Sequence, residues 1–216
     1  MNKYYIKTFL GFIIIFLLLF SIKAEASLPL AGKLIIVDAG HGGLDPGTMY
    51  KDIYESEINL KIAKYLEIEL SKLGAGVLLT RNDDNDLSNG EKNHRKKTDF
   101  DNRIKLINNS QGDLYLSIHL NYLTNSAYYG AQVFYNKENK SLATKIQNYL
   151  NENLETERKI KEIPKTTYMY SKLKTPGVLI ECGFLSNYKE RNLLITEEYQ
   201  QKLAKVIAES IVKYYS

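Results

Sequence analysis

The chain has 216 residues, of which 29 are lysine or arginine and 25 are aspartate or glutamate. This length fits one domain with a well-buried core and is short for two. Without the first 27 residues, 26 basic and 24 acidic residues remain, and this near balance implies no basic face dedicated to nucleic acid.

The N-terminus has the pattern of an export signal. Two lysines precede an apolar run over residues 9–22, and Ala-Glu-Ala follows at 24–26. The run has 14 residues, fewer than the roughly 20 that span a bilayer, so we expect cleavage after Ala26. A membrane anchor is the alternative, because lysines can reach the interface from a tilted segment. Residues 1–26 are thus expected to be a signal peptide or anchor of an exported protein, and residues 27–216 its folded domain.

The rest of the chain alternates between strand-like and helix-like patterns. Apolar and β-branched runs bounded by turn residues predict five strands: Leu34–Asp38, Val77–Arg81, Leu114–His119, Ala131–Tyr135 and Val178–Cys182. Apolar residues at helical spacing predict four helices: Glu57–Leu73, Phe100–Asn109, Ser141–Asn153 and Glu197–Tyr214. This alternation predicts a single α/β domain, with a mostly parallel or mixed central sheet covered by helices on both faces.

Residues 82–97 have no usable period and predict a long exposed loop. The loop is either a solvated connection or a wall of a ligand cleft, because long loops in compact domains are often functional. His94 lies in this segment without apolar neighbours, so we interpret it as a surface histidine.

The other two of the three histidines stand at the ends of apolar strands. His41 follows the first strand in Asp-Ala-Gly-His-Gly-Gly, and His119 lies in Ser-Ile-His-Leu-Asn. Open α/β sheets present ligand-binding side chains at the carboxyl ends of their strands. The glycines beside His41 let the backbone approach a ligand closely. Asp38 or Asp45 is placed to orient the imidazole of His41, although a turn role fits Asp45 equally well.

A carboxylate would complete a metal site. Glu55 and Glu57 both stand at the start of the second predicted element, where acidic residues also occur because they suit the helix dipole, and the pattern does not choose between them. Two imidazoles and one carboxylate leave a tetrahedral zinc ion one open position, which catalytic zinc uses for water or substrate. Asn121, two residues after His119, is a candidate to bind a substrate carbonyl or a neighbouring loop.

Glu181 is unusual because it stands within an apolar strand. A buried carboxylate is costly unless it is paired, lies near a metal or has a raised pKa, so Glu181 is either salt-bridged or catalytic. Side chains alternate along a strand, so Glu181 and Cys182 should face opposite ways. We therefore interpret Cys182, the single cysteine, as a buried packing residue rather than a nucleophile.

Four motifs, in this order and spacing, resemble the zinc-dependent N-acetylmuramoyl-L-alanine amidases of the amidase-3 family. They are Asp-Ala-Gly-His-Gly-Gly-Leu-Asp-Pro-Gly at 38–47, Glu55 at a helix start, Ser-Ile-His-Leu-Asn at 117–121 and Leu-Ile-Glu-Cys-Gly-Phe-Leu-Ser-Asn at 179–187. The resemblance implies that residues 27–216 are an amidase catalytic domain. It implies that His41, Glu55 and His119 hold one zinc ion, with Glu55 preferred to Glu57, and that Glu181 is the catalytic glutamate.

Within this family the chain resembles most the germination-specific amidases of spore-forming bacteria. That resemblance implies spore cortex peptidoglycan as the substrate, a role before muramic-δ-lactam formation, and an accessory activating protein as in some clostridial relatives. A vegetative or phage-type amidase and a non-catalytic wall-binding module on the same fold are the alternatives. Relatives usually have a small residue where this chain has Tyr122, which bears on substrate preference and not on the metal ligands.

Overall fold

The computed structural model describes residues 28–216. The expected signal peptide or anchor at 1–26 lies outside the described residues and stays a prediction. Within residues 28–216, no helix combines the length and the apolar character that crossing a bilayer requires.

The described residues form eight strands and five α-helices. The strands are β1 (Leu34–Ala39), β2 (Met49–Tyr50), β3 (Ile53–Tyr54), β4 (Gly76–Leu79), β5 (Leu114–Asn121), β6 (Gln132–Tyr135), β7 (Lys161–Glu162) and β8 (Gly177–Phe184). The α-helices are α1 (Glu55–Lys72), α2 (Arg95–Asn109), α3 (Lys140–Leu154), α4 (Tyr188–Leu194) and α5 (Glu197–Tyr215). Two short 3₁₀ helices cover Lys137–Asn139 and Tyr170–Lys172.

Six strands form one mixed sheet in the order β4-β1-β5-β8-β6-β7. The first four strands are mutually parallel, β6 runs antiparallel to β8, and β7 runs parallel to β6. The carboxyl ends of β1, β5 and β8 therefore meet at one edge of the sheet. The strands β2 and β3 pair with each other in a separate short hairpin just before α1.

Residues of β5 show how the two faces of the sheet differ. Leu114, Leu116 and Ile118 belong to a large apolar cluster formed with α1, α3 and α5. Tyr115 belongs to a smaller cluster on the opposite face, which α2 and the segment 163–173 cover. The prediction of an α/β domain with helices on both faces is confirmed, with one face covered by a single helix and an irregular segment.

All five predicted strands and all four predicted helices are present, with shifted ends. The largest shift is at α2, which begins at Arg95 rather than Phe100, so the prediction of a loop is wrong for residues 95–97. Sequence patterns did not predict β2, β3, β7 or α4. The three strands have two residues each, which is too short to show a period, and α4 has only seven.

Candidate metal centre

His41, Glu55 and His119 converge at the carboxyl end of the central strands. One potential ligand atom from each residue lies within 4.8 Å of the other two. Oε1 of Glu55 is 3.2 Å from Nε2 of His41 and 3.0 Å from Nδ1 of His119. Two ring nitrogens and one carboxylate oxygen at these separations form a group that could hold a metal ion.

The backbone around His41 lets the two imidazoles meet. A Cβ atom on Gly40 would lie 2.2 Å from Cε1 of His119, so only glycine leaves room for that ring. His41 itself has a φ of 62°, a left-handed conformation that is uncommon for a residue with a side chain. The rings consequently pack edge to face, with their centroids 4.9 Å apart.

Glu55 opens α1 and is held by four donors. Oε2 accepts hydrogen bonds from the backbone N–H and the hydroxyl of Thr48, at 2.8 and 3.0 Å. Oε1 accepts from Nδ2 of Asn59 at 3.3 Å and from the backbone N–H of Leu120 at 3.0 Å. Glu55 is 2% exposed, whereas Glu57 lies on the solvent side of the helix. Glu55 therefore joins the two histidines and Glu57 does not, while the role of Glu55 as a metal ligand stays a prediction.

Electrostatics within the group are strongly coupled. Burial opposes the charged form of His41, but hydrogen bonds to Asp45 and Glu55 outweigh this effect and raise the pKa of His41 to about 9. Burial would raise the pKa of Glu55, but its hydrogen bonds to His119 and His41 hold that pKa well below the usual range. Glu55 is thus an ionised carboxylate, as a metal ligand must be.

The two aspartates near His41 have different roles. Oδ2 of Asp45 lies 3.1 Å from Nδ1 of His41, while Oδ1 accepts from the backbone N–H of Gly47, so Asp45 both orients the ring and closes the turn. Asp38 bonds to Thr80, Arg103 and Ser117 instead.

Glu181 lies beside His119 in the neighbouring strand β8, where the two residues are register partners. Its Oε2 atom is buried and has no hydrogen-bond partner among the described residues. Burial, with a further contribution from the Glu55 carboxylate, outweighs the influence of the two histidines and raises the pKa of Glu181 to about 7. Glu181 therefore has no salt bridge to a described residue, which the interpretation of Glu181 as a purely structural carboxylate would require.

Cys182 is fully buried in the larger apolar cluster, on the opposite face of β8 from Glu181. Burial raises the pKa of its thiol, which keeps the sulfur protonated. The interpretation of Cys182 as a packing residue is consistent with this placement.

The remaining candidates lie around the group. Asn121 ends β5, and its backbone carbonyl accepts from the N–H of Leu185, but its side chain makes no hydrogen bond to a described residue. Binding of substrate by Asn121 stays a prediction. His94 is exposed immediately before α2 and takes no part in the group.

The loop from residue 82 to residue 94 borders the centre. The carboxylate of Asp84 accepts from the backbone N–H of Gly43 at 3.1 Å. A cavity of about 680 Å³ separates the loop from the turn at Gly43 and Leu44. A smaller cavity of about 120 Å³ opens on both imidazoles, with Phe100 and Tyr170 among its lining residues. The larger cavity has none of His41, Glu55, His119 and Glu181 in its lining, so the role of the loop as a cleft wall stays a prediction.

Sequence reasoning missed three residues that support the group. Thr48 and Asn59 orient Glu55, and Tyr170 reaches His119. Asn59 had a usable signal in the sequence, because it is a polar residue one helical turn after Glu55. In the structure its side chain is fully buried. Thr48 and Tyr170 lie in irregular segments, where no period marks the direction of a side chain.

Comparisons with known proteins agree with this geometry. The family model described as N-acetylmuramoyl-L-alanine amidase matches residues 35–213. The germination-specific N-acetylmuramoyl-L-alanine amidase of Bacillus subtilis is 42% identical over 96% of this chain and 92% of its own length. The CwlD amidase of Clostridioides difficile, solved in complex with the GerS lipoprotein, superposes with a TM-score of 0.79 at 40% identity, covering 85% of this chain and 98% of that one. The catalytic domain of the amidase CwlV from Bacillus (Paenibacillus) polymyxa var. colistinus superposes with a TM-score of 0.73 at 30% identity. The match covers 84% of this chain and 97% of that one.

Proposed function

The chain belongs to the N-acetylmuramoyl-L-alanine amidase family, and we propose that it cleaves the amide bond between N-acetylmuramic acid and L-alanine in spore cortex peptidoglycan, as a step toward muramic-δ-lactam. The observation that carries the hydrolytic role is the buried, unpartnered Oε2 atom of Glu181 beside a His-Glu-His group. The germination role is supported by the 42% identity to the Bacillus subtilis enzyme over nearly the full length of both chains.

His41, Glu55 and His119 would hold one Zn²⁺ ion. The donor set fits this metal, because two imidazole nitrogens and one carboxylate oxygen already converge and a fourth position stays open for a reactant. When bound, zinc would polarise the substrate carbonyl and lower the pKa of water from about 15.7 toward about 7. The same donors accept other divalent ions, so metal analysis has to identify the native one.

Glu181 would move the proton that amide hydrolysis requires. An amide is cleaved only when water is activated and the departing amine is protonated. The carboxylate of Glu181 can accept a proton from the attacking water and return it to the alanine nitrogen. The Oε2 atom has no competing hydrogen bond to a described residue, so it is available for both transfers.

The cleft beside the centre would bind the glycan and the stem peptide. We place the Asn121 side chain there as a substrate-binding amide, because it ends β5 two residues beyond His119 and has no protein partner among the described residues. The loop from residue 82 to residue 94 would form one wall, since Asp84 in the loop accepts a hydrogen bond from Gly43, two residues after His41.

Cortex peptidoglycan is outside the cytoplasm, so this function requires export, which the segment over residues 1–26 would direct. Partner dependence is a second requirement to test. The Clostridioides difficile relative was solved with the GerS lipoprotein, and we propose that an accessory protein also activates this chain. Full activity of the purified protein alone would remove that requirement.

Two measurements on the purified protein test the reaction. Metal analysis should find one zinc ion per chain, and incubation with peptidoglycan in the presence of the accessory protein should release new L-alanine N-termini. A protein that binds peptidoglycan without metal or cleavage would instead be a wall-binding module. The buried, unpartnered Oε2 atom of Glu181 disfavours that alternative, because binding alone gains nothing from it.

A deletion strain tests the biological role. Mass spectrometry of its spore peptidoglycan should show no muramic-δ-lactam, and a catalytically active copy should restore it. Retained muramic-δ-lactam would contradict the cortex role and favour a vegetative or phage-type amidase.

A further inference from the structure

A buried chain of hydrogen bonds connects the ion pair between Arg103 and Asp38 to the ring of His119. Nη1 of Arg103 donates to Asp38 at 2.7 Å, and the hydroxyl of Ser117 donates to Oδ2 of Asp38 at 2.7 Å. The hydroxyl of Tyr170 lies 3.1 Å from that of Ser117 and 3.4 Å from Nε2 of His119. None of Arg103, Asp38, Ser117 and Tyr170 is more than 8% exposed.

The number of hydrogens in this chain fixes the direction of every bond. Asp38 faces the Arg103 guanidinium as a carboxylate, so it accepts, and the single hydrogen of Ser117 is used to donate to it. Ser117 can therefore only accept from Tyr170, which uses the single hydrogen of that phenol. Tyr170 is then left as an acceptor toward His119, and Nε2 of His119 must carry a hydrogen.

We propose that Tyr170, held by Ser117 and Asp38, is a positioning residue that keeps a hydrogen on Nε2 of His119, so that Nδ1, which donates to Glu55 in the metal-free protein, is the nitrogen that would bind the metal. Nδ1 is the nitrogen that lies 3.0 Å from Oε1 of Glu55, at the centre of the group. The inference rests on the proposed function only in taking His119 as a metal ligand.

His41 is arranged in the opposite sense. Its Nδ1 atom faces the carboxylate of Asp45 at 3.1 Å, and its Nε2 atom faces Glu55 at 3.2 Å. The two histidines therefore present different nitrogens to the ion, each fixed by a partner on its far side. A ligand ring whose second nitrogen lacks such a partner samples both tautomers and several orientations, which typically weakens metal binding by about 10- to 100-fold.

Tyr115 provides a matched control for Tyr170. Both tyrosines are buried in the smaller apolar cluster. The hydroxyl of Tyr115 has no hydrogen-bond partner in the part of the chain that the structure describes. Each of the substitutions Tyr115→Phe and Tyr170→Phe thus removes one buried phenol hydroxyl from the same apolar cluster. Only Tyr170→Phe breaks the chain of hydrogen bonds to His119.

The first readout is zinc affinity, measured by competition with a chromophoric chelator. We expect Tyr170→Phe to lower the zinc affinity by about 10- to 100-fold. Ser117→Ala should also lower the zinc affinity, whereas the affinity of Tyr115→Phe should stay within about twofold of wild type. Unchanged affinity in Tyr170→Phe, or an equal loss in Tyr115→Phe, would overturn the proposal.

The second readout needs no metal and no substrate. In ¹⁵N-labelled protein, the imidazole shifts of His119 should show a hydrogen on Nε2 both before and after zinc is added. An unprotonated Nε2 in the metal-free protein would refute the inference. If wild type failed to cleave peptidoglycan but gave these shifts, the amidase function would fail and the positioning role of Tyr170 would stand.

Discussion

Glu181 and His119 are register partners in the adjacent parallel strands β8 and β5. Residues at matching positions of neighbouring strands point to the same face of a sheet, so the proposed catalytic carboxylate and a proposed metal ligand open on the same cleft.

Glu181→Gln should separate metal binding from catalysis. The amide keeps the shape of the side chain but cannot accept a proton, so hydrolysis should fall by about 10²- to 10⁴-fold or more. Zinc content should stay near one ion per chain. Release of L-alanine N-termini and metal analysis on the same samples measure both effects, and wild-type turnover by this variant would contradict the assignment of Glu181.

His119→Ala should abolish stoichiometric zinc binding. The substitution removes one of three proposed ligands and leaves Oε1 of Glu55 with fewer partners. His94→Ala is the matched control, because His94 is the one remaining histidine and is exposed outside the group. Metal analysis after dialysis should show loss only in the first variant; equal retention in both would mean that the ion is held elsewhere.

Gly40→Ala should damage the centre through packing alone. The new methyl group would lie 2.2 Å from the His119 ring, so the ring must move from its position beside Glu55. Gly76→Ala is the control, since its methyl group would meet Leu34 at an ordinary 3.5 Å. The zinc affinity of Gly40→Ala should fall sharply, and that of Gly76→Ala should change little. Similar affinities for the two variants would argue against the close contact at Gly40.

Arg103→Met should destabilise the fold. Arg103 is 1% exposed and pairs with Asp38 and Asp99, so removing it leaves buried carboxylates unpaired, at a cost of about 3–5 kcal/mol. Lys97→Ala, which removes an exposed pair in the same helix, should cost much less. Urea unfolding of the metal-free proteins measures the difference. A small loss for Arg103→Met would show that the pair contributes little to stability.

Stability of the metal-free protein should depend on pH through Glu181. Its pKa is about 7 in the folded state against an ordinary 4.5, so the folded state binds the proton more tightly. The stabilisation is complete below pH 4.5 and is lost as the pH rises through 7, by up to about 3 kcal/mol relative to Glu181→Gln. Urea unfolding of the two proteins from pH 4 to pH 8 measures this change, and parallel curves would contradict it.

The sequence alone predicted the sheet, its long helices and the positions of His41, His119 and Glu181 at or near strand ends. This was possible because strands with apolar periodicity end in polar residues, and the carboxyl ends of parallel strands share one edge. The order of the motifs also carried the family resemblance. By contrast, pattern alone could not choose Glu55 over Glu57, since both suit a helix start.

Only the tertiary structure shows that Glu55, and not Glu57, lies beside the two histidines. It also shows which residues surround each of these side chains. Thr48 fixes Glu55 from a loop, and Tyr170 reaches His119 from a segment 51 residues away in the chain. Such contacts depend on the path of irregular backbone, which has no period that a sequence displays. The strands therefore determined which side chains reach the centre, and the packing of the loops against them determined which atom each side chain presents.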